Sequence, residues 1–269
     1  MKVRYEQYAN AQGEPPFALN DNIKRTSLLS SKSCNWHENI EIQFCREGCG
    51  CTLIDGRCYA FEKGDIVIVD SNSIHYTYTD TNMVYACIIV STAFCEKMGI
   101  DHRRLSFTPL VKNERLAQIF EEICRIYHSE ESLRIARLHY LMLDMLMEMT
   151  ERYAVPKDDT AADEEECAAA KKVILFIQEN YREKITLDSI AKQLLIDKYT
   201  LCKLFKRITG QTIFETLNAY RCMRAAEYIA DGRRVSEAAN LCGFENNSFF
   251  TKMFKKYIGT LPSKYAAVK

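Results

Sequence analysis

A ten-residue phrase occurs twice in this chain, and few folds accommodate such a repeat. Residues 201–210 read Leu-Cys-Lys-Leu-Phe-Lys-Arg-Ile-Thr-Gly, and residues 250–259 read Phe-Thr-Lys-Met-Phe-Lys-Lys-Tyr-Ile-Gly. At one fixed offset Leu201 aligns with Phe250, Leu204 with Met253, Phe205 with Phe254, Lys203 with Lys252 and Gly210 with Gly259. Apolar residues at i, i+3 and i+4 form one buried helical face and leave the lysines on the other. Glycine after a basic last turn marks a helix C-terminus. Each copy therefore predicts a short basic helix anchored by a phenylalanine.

At 269 residues the chain is long enough for two cored domains. No apolar run approaches the length of a membrane span, and the start, Met1-Lys2-Val3-Arg4, is too polar for a secretory signal. A cytoplasmic location without membrane contact is expected. The 12 cysteines are then expected to be thiols. No Cys-x2-Cys pair exists. The group Cys45, Cys49, Cys51 and Cys58 is read either as small apolar strand residues or as a metal- or oxidant-responsive cluster. The net charge of zero hides an asymmetry. Residues 171–269 carry 18 Lys+Arg and 9 Asp+Glu, a net of +9, which leaves −9 on residues 1–170. One half is built to meet a polyanion.

The acidic half begins with residues 1–33, polar and irregular, expected as a flexible arm. From Cys34 to Val90 short apolar runs alternate with turns. Ile40-Glu41-Ile42-Gln43-Phe44 has period two, and Asp55-Gly56 between apolar runs signals a hairpin. Close-set short strands imply a barrel or sandwich. Helices are predicted over 113–128 and 132–153, the second with a broad Met-rich face that either covers the strands or forms a dimer interface. Residues 154–170 are polar and acidic and are expected to be a linker. The boundaries are thus 1–153, 154–170 and 171–269.

In the basic half, Thr186 and Asp197 cap helices, a long helix spans about 212–230, and Val235 starts a second unit that turns at Gly243-Phe244. Each unit is a short helix with a central alanine (Ala191, Ala239), a turn and a basic helix, which is the helix-turn-helix plan. The exposed positions are Lys198, Tyr199, Cys202, Lys203 and Lys206 in the first unit. In the second they are Asn247, Ser248, Thr251, Lys252, Lys255 and Lys256. Asn, Ser and Thr address base edges, and lysine serves bases or phosphates. Two such faces in register, on the basic half, point to double-stranded DNA rather than to solvent.

These residues carry a resemblance. Residues 171–269 resemble the DNA-binding domain of AraC/XylS-type transcriptional regulators, through 201–210, Arg221, Ala225-Ala226, 239–244, 248–256 and 259–265. The resemblance implies that both basic helices enter successive major grooves and that the protein alters transcription nearby. Leu195-Ile196 stands where the family has Gly and an apolar residue, and Lys203 and Lys252 stand where Arg is common. Lysine makes a less directional guanine contact than arginine.

The acidic half is similar to the cupin barrel often fused to such domains, through Asn35, His37, Glu41 and Gly48, then Gly64-Asp65 and His75. Asn35 replaces the first histidine of the metal-cupin pattern. The fold expected is therefore α+β: a cupin-like β-barrel with two helices, then an all-α domain with two helix-turn-helix units. The resemblance implies an effector pocket, assigned to Asn35, His37, Glu41 and His75, with Tyr76 and Tyr78 as pocket aromatics or packing. A sugar's hydroxyls suit these groups. No catalytic residue, cofactor or metal is assigned. The function expected is a homodimeric, effector-controlled regulator that meets RNA polymerase if it activates. The competing reading is a metal-binding cupin fused to the same DNA-binding domain.

Overall fold

A computed structural model of the chain describes residues 14–27, 34–157 and 161–266. Strands β1 (Phe17–Thr26), β2 (Glu41–Ile54), β3 (Arg57–Glu62), β4 (Ile66–Val69), β5 (His75–Tyr78) and β6 (Asn82–Val90) make the N-terminal half. Helix α1 (Thr92–Lys97), a 3-10 turn at His102–Arg104 and the short strands β7 (Leu105–Phe107) and β8 (Leu110–Val111) follow. Then come α2 (Glu114–Tyr127), α3 (Arg134–Tyr153) and β9 (Ala154–Pro156), which pairs with β7.

Strand β2 organises this half. Its first part pairs with β4 and β6, and its second part pairs with β3 and β5. A bulge between Cys45 and Glu47 separates the two parts and lets the sheet fold over itself. Cys45, Phe61, Val67, Val69, Tyr85 and Cys87 fill the space between the two parts. Ile42, Phe44, Ile66, Ile68 and Ile88 alternate to the opposite face and meet α2 and α3. There Leu138, Met142, Met145, Leu146 and Met149 are fully buried, so the Met-rich face of α3 covers the sheet.

Three expectations are corrected. The segment read as a flexible arm contains β1, which pairs antiparallel with β6 over its length; its Phe17 is buried, and this single anchor at the strand start is easily missed in a polar stretch. The rest of that arm, residues 1–13 and 28–33, lies outside the described residues. Cys51 and Cys58 are joined as a disulfide rather than left as thiols, because the hairpin sets their Cα atoms 6.2 Å apart on paired strands; the other ten cysteines are not disulfide-bonded. The stretch expected as linker is largely ordered too: β9 is followed by a helix that begins at Ala161.

That helix, α4 (Ala161–Asn180), opens the C-terminal half, with α5 (Leu187–Leu194), α6 (Lys198–Thr209), α7 (Ile213–Ala230), α8 (Val235–Leu241), α9 (Asn247–Ile258) and α10 (Pro262–Ala266). Caps define the units. Thr186 and Ser189 form a capping box on α5, and the Asp197 carboxylate accepts from Tyr199 N and Thr200 N at the start of α6. Asn246 caps α9, and Gly210 and Gly259 close α6 and α9 in the left-handed region. Arg221 on α7 donates to the Tyr181 and Glu183 carbonyls at 2.7 and 2.8 Å, tying the central helix to the end of α4. Leu201, Phe205, Phe250 and Phe254, the anchors of the repeated phrase, are fully buried.

Candidate nucleic-acid interface and the interior of the sheet domain

Burial of the anchors decides which side of each basic helix faces out. On α6, Tyr199 is 77% exposed, and Lys203 and Lys206 are exposed beside it. Lys198 leans back to Asp188 at 2.9 Å, and Cys202 is half-buried against the core, so its thiol is a packing group more than a reading group. On α9, Asn247, Ser248, Lys252, Lys255 and Lys256 are exposed. The Thr251 hydroxyl donates to Asn247 O at 2.9 Å, and Lys256 lies 3.9 Å from Glu215 and over the Tyr257 ring. Polar and basic groups thus project from one side of each helix, the arrangement that phosphate docking and base reading need.

The turns differ between units. Leu195 takes the left-handed conformation at φ 56° and is 91% exposed, whereas Gly243 fills the matching bend at φ 76°. Ala239 is fully buried where α8 and α9 cross, and Ala191 is only half-buried.

In the sheet domain, β2 and β5 bring three of the expected pocket residues together. His37 Nε2 and His75 Nε2 both lie 3.1 Å from Glu41 Oε2, inside the folded sheet and almost fully buried. His75 Nδ1 lies 2.9 Å from the Ser73 carbonyl, so acceptors flank both ring nitrogens and an imidazolium satisfies both. Burial opposes charge on Glu41 and His75, and their mutual attraction overrides it. Glu41 is held well below the ordinary carboxylate range, and His75 is raised above the ordinary imidazole value.

The network extends beyond the residues the sequence singled out. Gln43 Nε2 donates to Glu41 Oε1 at 2.7 Å, and Thr52 and Thr77 donate to Gln43 Oε1 at 2.8 and 2.9 Å. Period two from Glu41 and from His75 is the signal that identifies Gln43 and Thr77. Asn35 and His75 exchange backbone hydrogen bonds at 2.8 and 2.9 Å, so their side chains share one face of the sheet. Asn35 Oδ1 is buried and has no hydrogen-bond partner among the described residues.

The two tyrosines are not part of this group. Alternation along β5 sends Tyr76 and Tyr78 to the other face. Tyr76 is buried against the C-terminal helices, and Tyr78 lines a separate cavity of about 420 Å³ with Phe61, Leu110 and Lys112 at the edge of the sheet. His37, Glu41 and His75 offer ligand atoms within 4.8 Å of one another, a donor set that can hold a divalent metal. Here those atoms bond one another and Glu41's second oxygen is taken by Gln43, a network that is satisfied without an ion.

Two basic reading helices on one helical domain, joined to a folded sheet with a polar interior, define a DNA-binding regulator with a sensory domain. The pattern of an AraC-like ligand binding domain matches residues 30–143, and that of a helix-turn-helix domain matches residues 190–267. The chain belongs to the AraC family of transcriptional regulators. It is 23% identical over 239 residues to the Msm operon regulatory protein of Streptococcus mutans, covering 85% of this chain and 84% of that one. It is 22% identical over 269 residues to the transcriptional activator RhaS of Salmonella schwarzengrund, covering 93% and 91%. Among solved structures, an apo form of ToxT carrying one substitution, from Vibrio cholerae, shares the fold with a TM-score of 0.51 at 14% identity, covering 96% and 99%. No described helix is long and apolar enough to cross a membrane.

Proposed function

We propose that this regulator reads a promoter through α6 and α9 and that a small organic effector, bound beside Asn35, His37, Glu41 and His75, controls that reading. The basic reading faces are carried by Lys203 and Tyr199 on α6 and by Asn247, Ser248 and Lys252 on α9. The observation that carries the effector site is the buried Asn35 Oδ1, without a partner among the described residues, on the face it shares with His75. A buried acceptor without a donor costs free energy until a ligand supplies one. A hydroxyl-bearing effector such as a sugar supplies that donor, and Glu41, which accepts three hydrogen bonds within the network, keeps one acceptor position for a further hydroxyl.

The protein acts as a homodimer in the cytoplasm, as a regulator and not an enzyme, and contacts RNA polymerase where it activates. The dimer reading rests on α3. With its Met face covered, its opposite side leaves Leu133, Tyr140 and Met147 exposed at 63%, 67% and 49%. Ala136 and Leu143 fall between them, so the spacing is three and four residues throughout, a seam that fits a second copy of the helix.

The experiment is a thermal-shift titration of the full chain against a panel of monosaccharides, with and without divalent metal. A rise in melting temperature with one sugar, lost in Asn35→Ala, supports the reading. Stoichiometric metal in the purified chain, lost in His37→Ala and His75→Ala, replaces the organic effector with a metal.

A further inference from the structure

The sheet domain and the helical domain share one continuous core. Cys34, Trp36, Leu53, Ile74 and Tyr76 pack into the same cluster as the helices α4 to α9. Several close approaches fall at the C-terminal end of α6, and the Cys167 thiol of α4 also donates to Asp55 Oδ1 at 3.6 Å. The Asp55-Gly56 hairpin tip lies against Arg207: a Cβ on Gly56 would stand 2.5 Å from the Arg207 carbonyl oxygen. Tyr76 lies against Gly210, where a Cβ would stand 2.7 Å from the Tyr76 hydroxyl. The Cys34 thiol donates to Thr209 O at 3.5 Å and accepts from Gln211 Nε2 at 3.8 Å. Burial pushes that thiol up to about 12, so it stays a protonated donor.

The second unit is held differently. Among the described residues, no hydrogen bond, ion pair or ring contact joins the sheet domain to α8 or α9. Those helices dock on α7, which Arg221 fastens to the end of α4. The reading side of α6 stays open, since Tyr199, Lys203 and Lys206 are exposed while the grip falls at residues 207–211.

From this asymmetry we infer that Gly56 and Tyr76 are positioning residues for DNA reading by α6 alone: the sheet domain orients the first reading helix and leaves the second to dock by itself. The inference rests on the DNA-binding reading above. Its structural logic is preorganisation: a helix held at its far end loses less freedom when its near end enters the groove. The connection to the interior is short. Tyr76 follows His75 in β5, and Asp55, beside Gly56, accepts from Ile74 N at 2.8 Å. A change at His75 has one residue to travel, Tyr76, before it meets α6.

Gly56→Asn in the full chain places a side chain against Arg207. Gly64→Asn is the control, because Gly64 has a similar φ of 91° against 86° and open space where its Cβ would stand. Tyr76→Leu withdraws the contact from the other side without adding a clash. The operator is a duplex selected from random sequence by the wild-type chain, and Lys203→Ala and Lys252→Ala footprints assign its half-sites to α6 and α9. Affinity is then measured with each half-site scrambled in turn, and amide exchange is followed over residues 203–211 and 250–258.

Gly56→Asn and Tyr76→Leu are expected to weaken the half-site read by α6 about fivefold, near the size of one lost contact. Exchange should quicken at 203–211 and hold at 250–258, with Gly64→Asn unchanged in both readouts. No loss at the first half-site, or an equal loss at both, overturns the inference. If no duplex is selected at all, the DNA-binding reading fails instead, and unchanged exchange at 203–211 in both variants separately overturns the contact's role.

Discussion

His75 and Tyr76 are neighbours in β5 that face opposite ways: His75 meets Glu41 at 3.1 Å inside the folded sheet, and Tyr76 meets Gly210 at the end of the first reading helix. One strand therefore has its polar side in the sensory interior and its apolar side in the core of the DNA-binding half. The arrangement places a titratable pair one residue from the contact between domains.

That pair makes stability depend on pH in a defined direction. Glu41 is depressed in the fold, so its contribution is present above the ordinary carboxylate value and is lost as pH falls through its lowered one. His75 is raised, so its contribution is full below about pH 6.5 and is lost as pH climbs through its raised value. The melting temperature of the full chain should hold from mildly acidic pH to about 6.5 and decline above it. His75→Gln should be less stable at the plateau and should lack that decline. Calorimetry across the range checks both, and an identical slope in the variant would remove His75 as its source.

On the DNA side, Lys203→Ala or Lys252→Ala should weaken operator binding by about 1–3 kcal/mol if the lysine reads a base. Random duplex of the same length distinguishes the roles. An equal loss on random sequence, with a shallower dependence of affinity on salt, assigns that lysine to phosphate. Fluorescence anisotropy at two salt concentrations is sufficient. Cys202→Ala should leave affinity within about 0.5 kcal/mol, because its half-buried side chain faces the core.

Much of this architecture was legible in sequence because local signals agree. The repeated phrase marks α6 and α9 through buried Leu201, Phe205, Phe250 and Phe254, and Thr186 and Asp197 cap the helices they were expected to cap. Period two around Glu41 put the carboxylate on the interior face that His75 reaches from another strand. What stayed hidden depends on pairing between distant residues. Strand β1 has one strong anchor, Phe17, and is fixed by hydrogen bonds to β6 that no local pattern reports. Tyr76 and Tyr78 follow His75 closely, yet alternation carries them to the outer face. The grip on α6 joins residues 34, 56 and 76 to residues 207–211, a distance along the chain that spacing cannot bridge.

Leu195 supplies a test of local strain. The bend between α5 and α6 requires the left-handed conformation, which costs a residue with a Cβ about 1 kcal/mol. At 91% exposure the side chain gives little burial in return. Leu195→Gly should therefore raise stability by about 0.5 kcal/mol, once the greater freedom of glycine in the unfolded chain is subtracted. Denaturant unfolding of both proteins reads the difference. A loss of more than about 1 kcal/mol would mean that Leu195 makes contacts the fold depends on.

The two faces of α3 should separate cleanly under mutation. Met142 is fully buried against the sheet, and Met142→Ala should cost about 2–5 kcal/mol in stability whatever the oligomeric state. Tyr140 and Met147 stand on the opposite, exposed seam, where a charged side chain stays in water. Along that seam Arg137 lies toward one end and Glu151 toward the other, so two copies of α3 running antiparallel set opposite charges side by side. Tyr140→Glu with Met147→Glu should leave the melting temperature of the monomer nearly unchanged while shifting the dimer to monomer at micromolar concentration. Sedimentation velocity on the wild type and the double variant decides the matter. A wild type that is monomeric throughout, or a double variant that stays dimeric, excludes α3 as the interface, because two buried glutamates facing an apolar stripe in a second copy would each carry an uncompensated charge out of water.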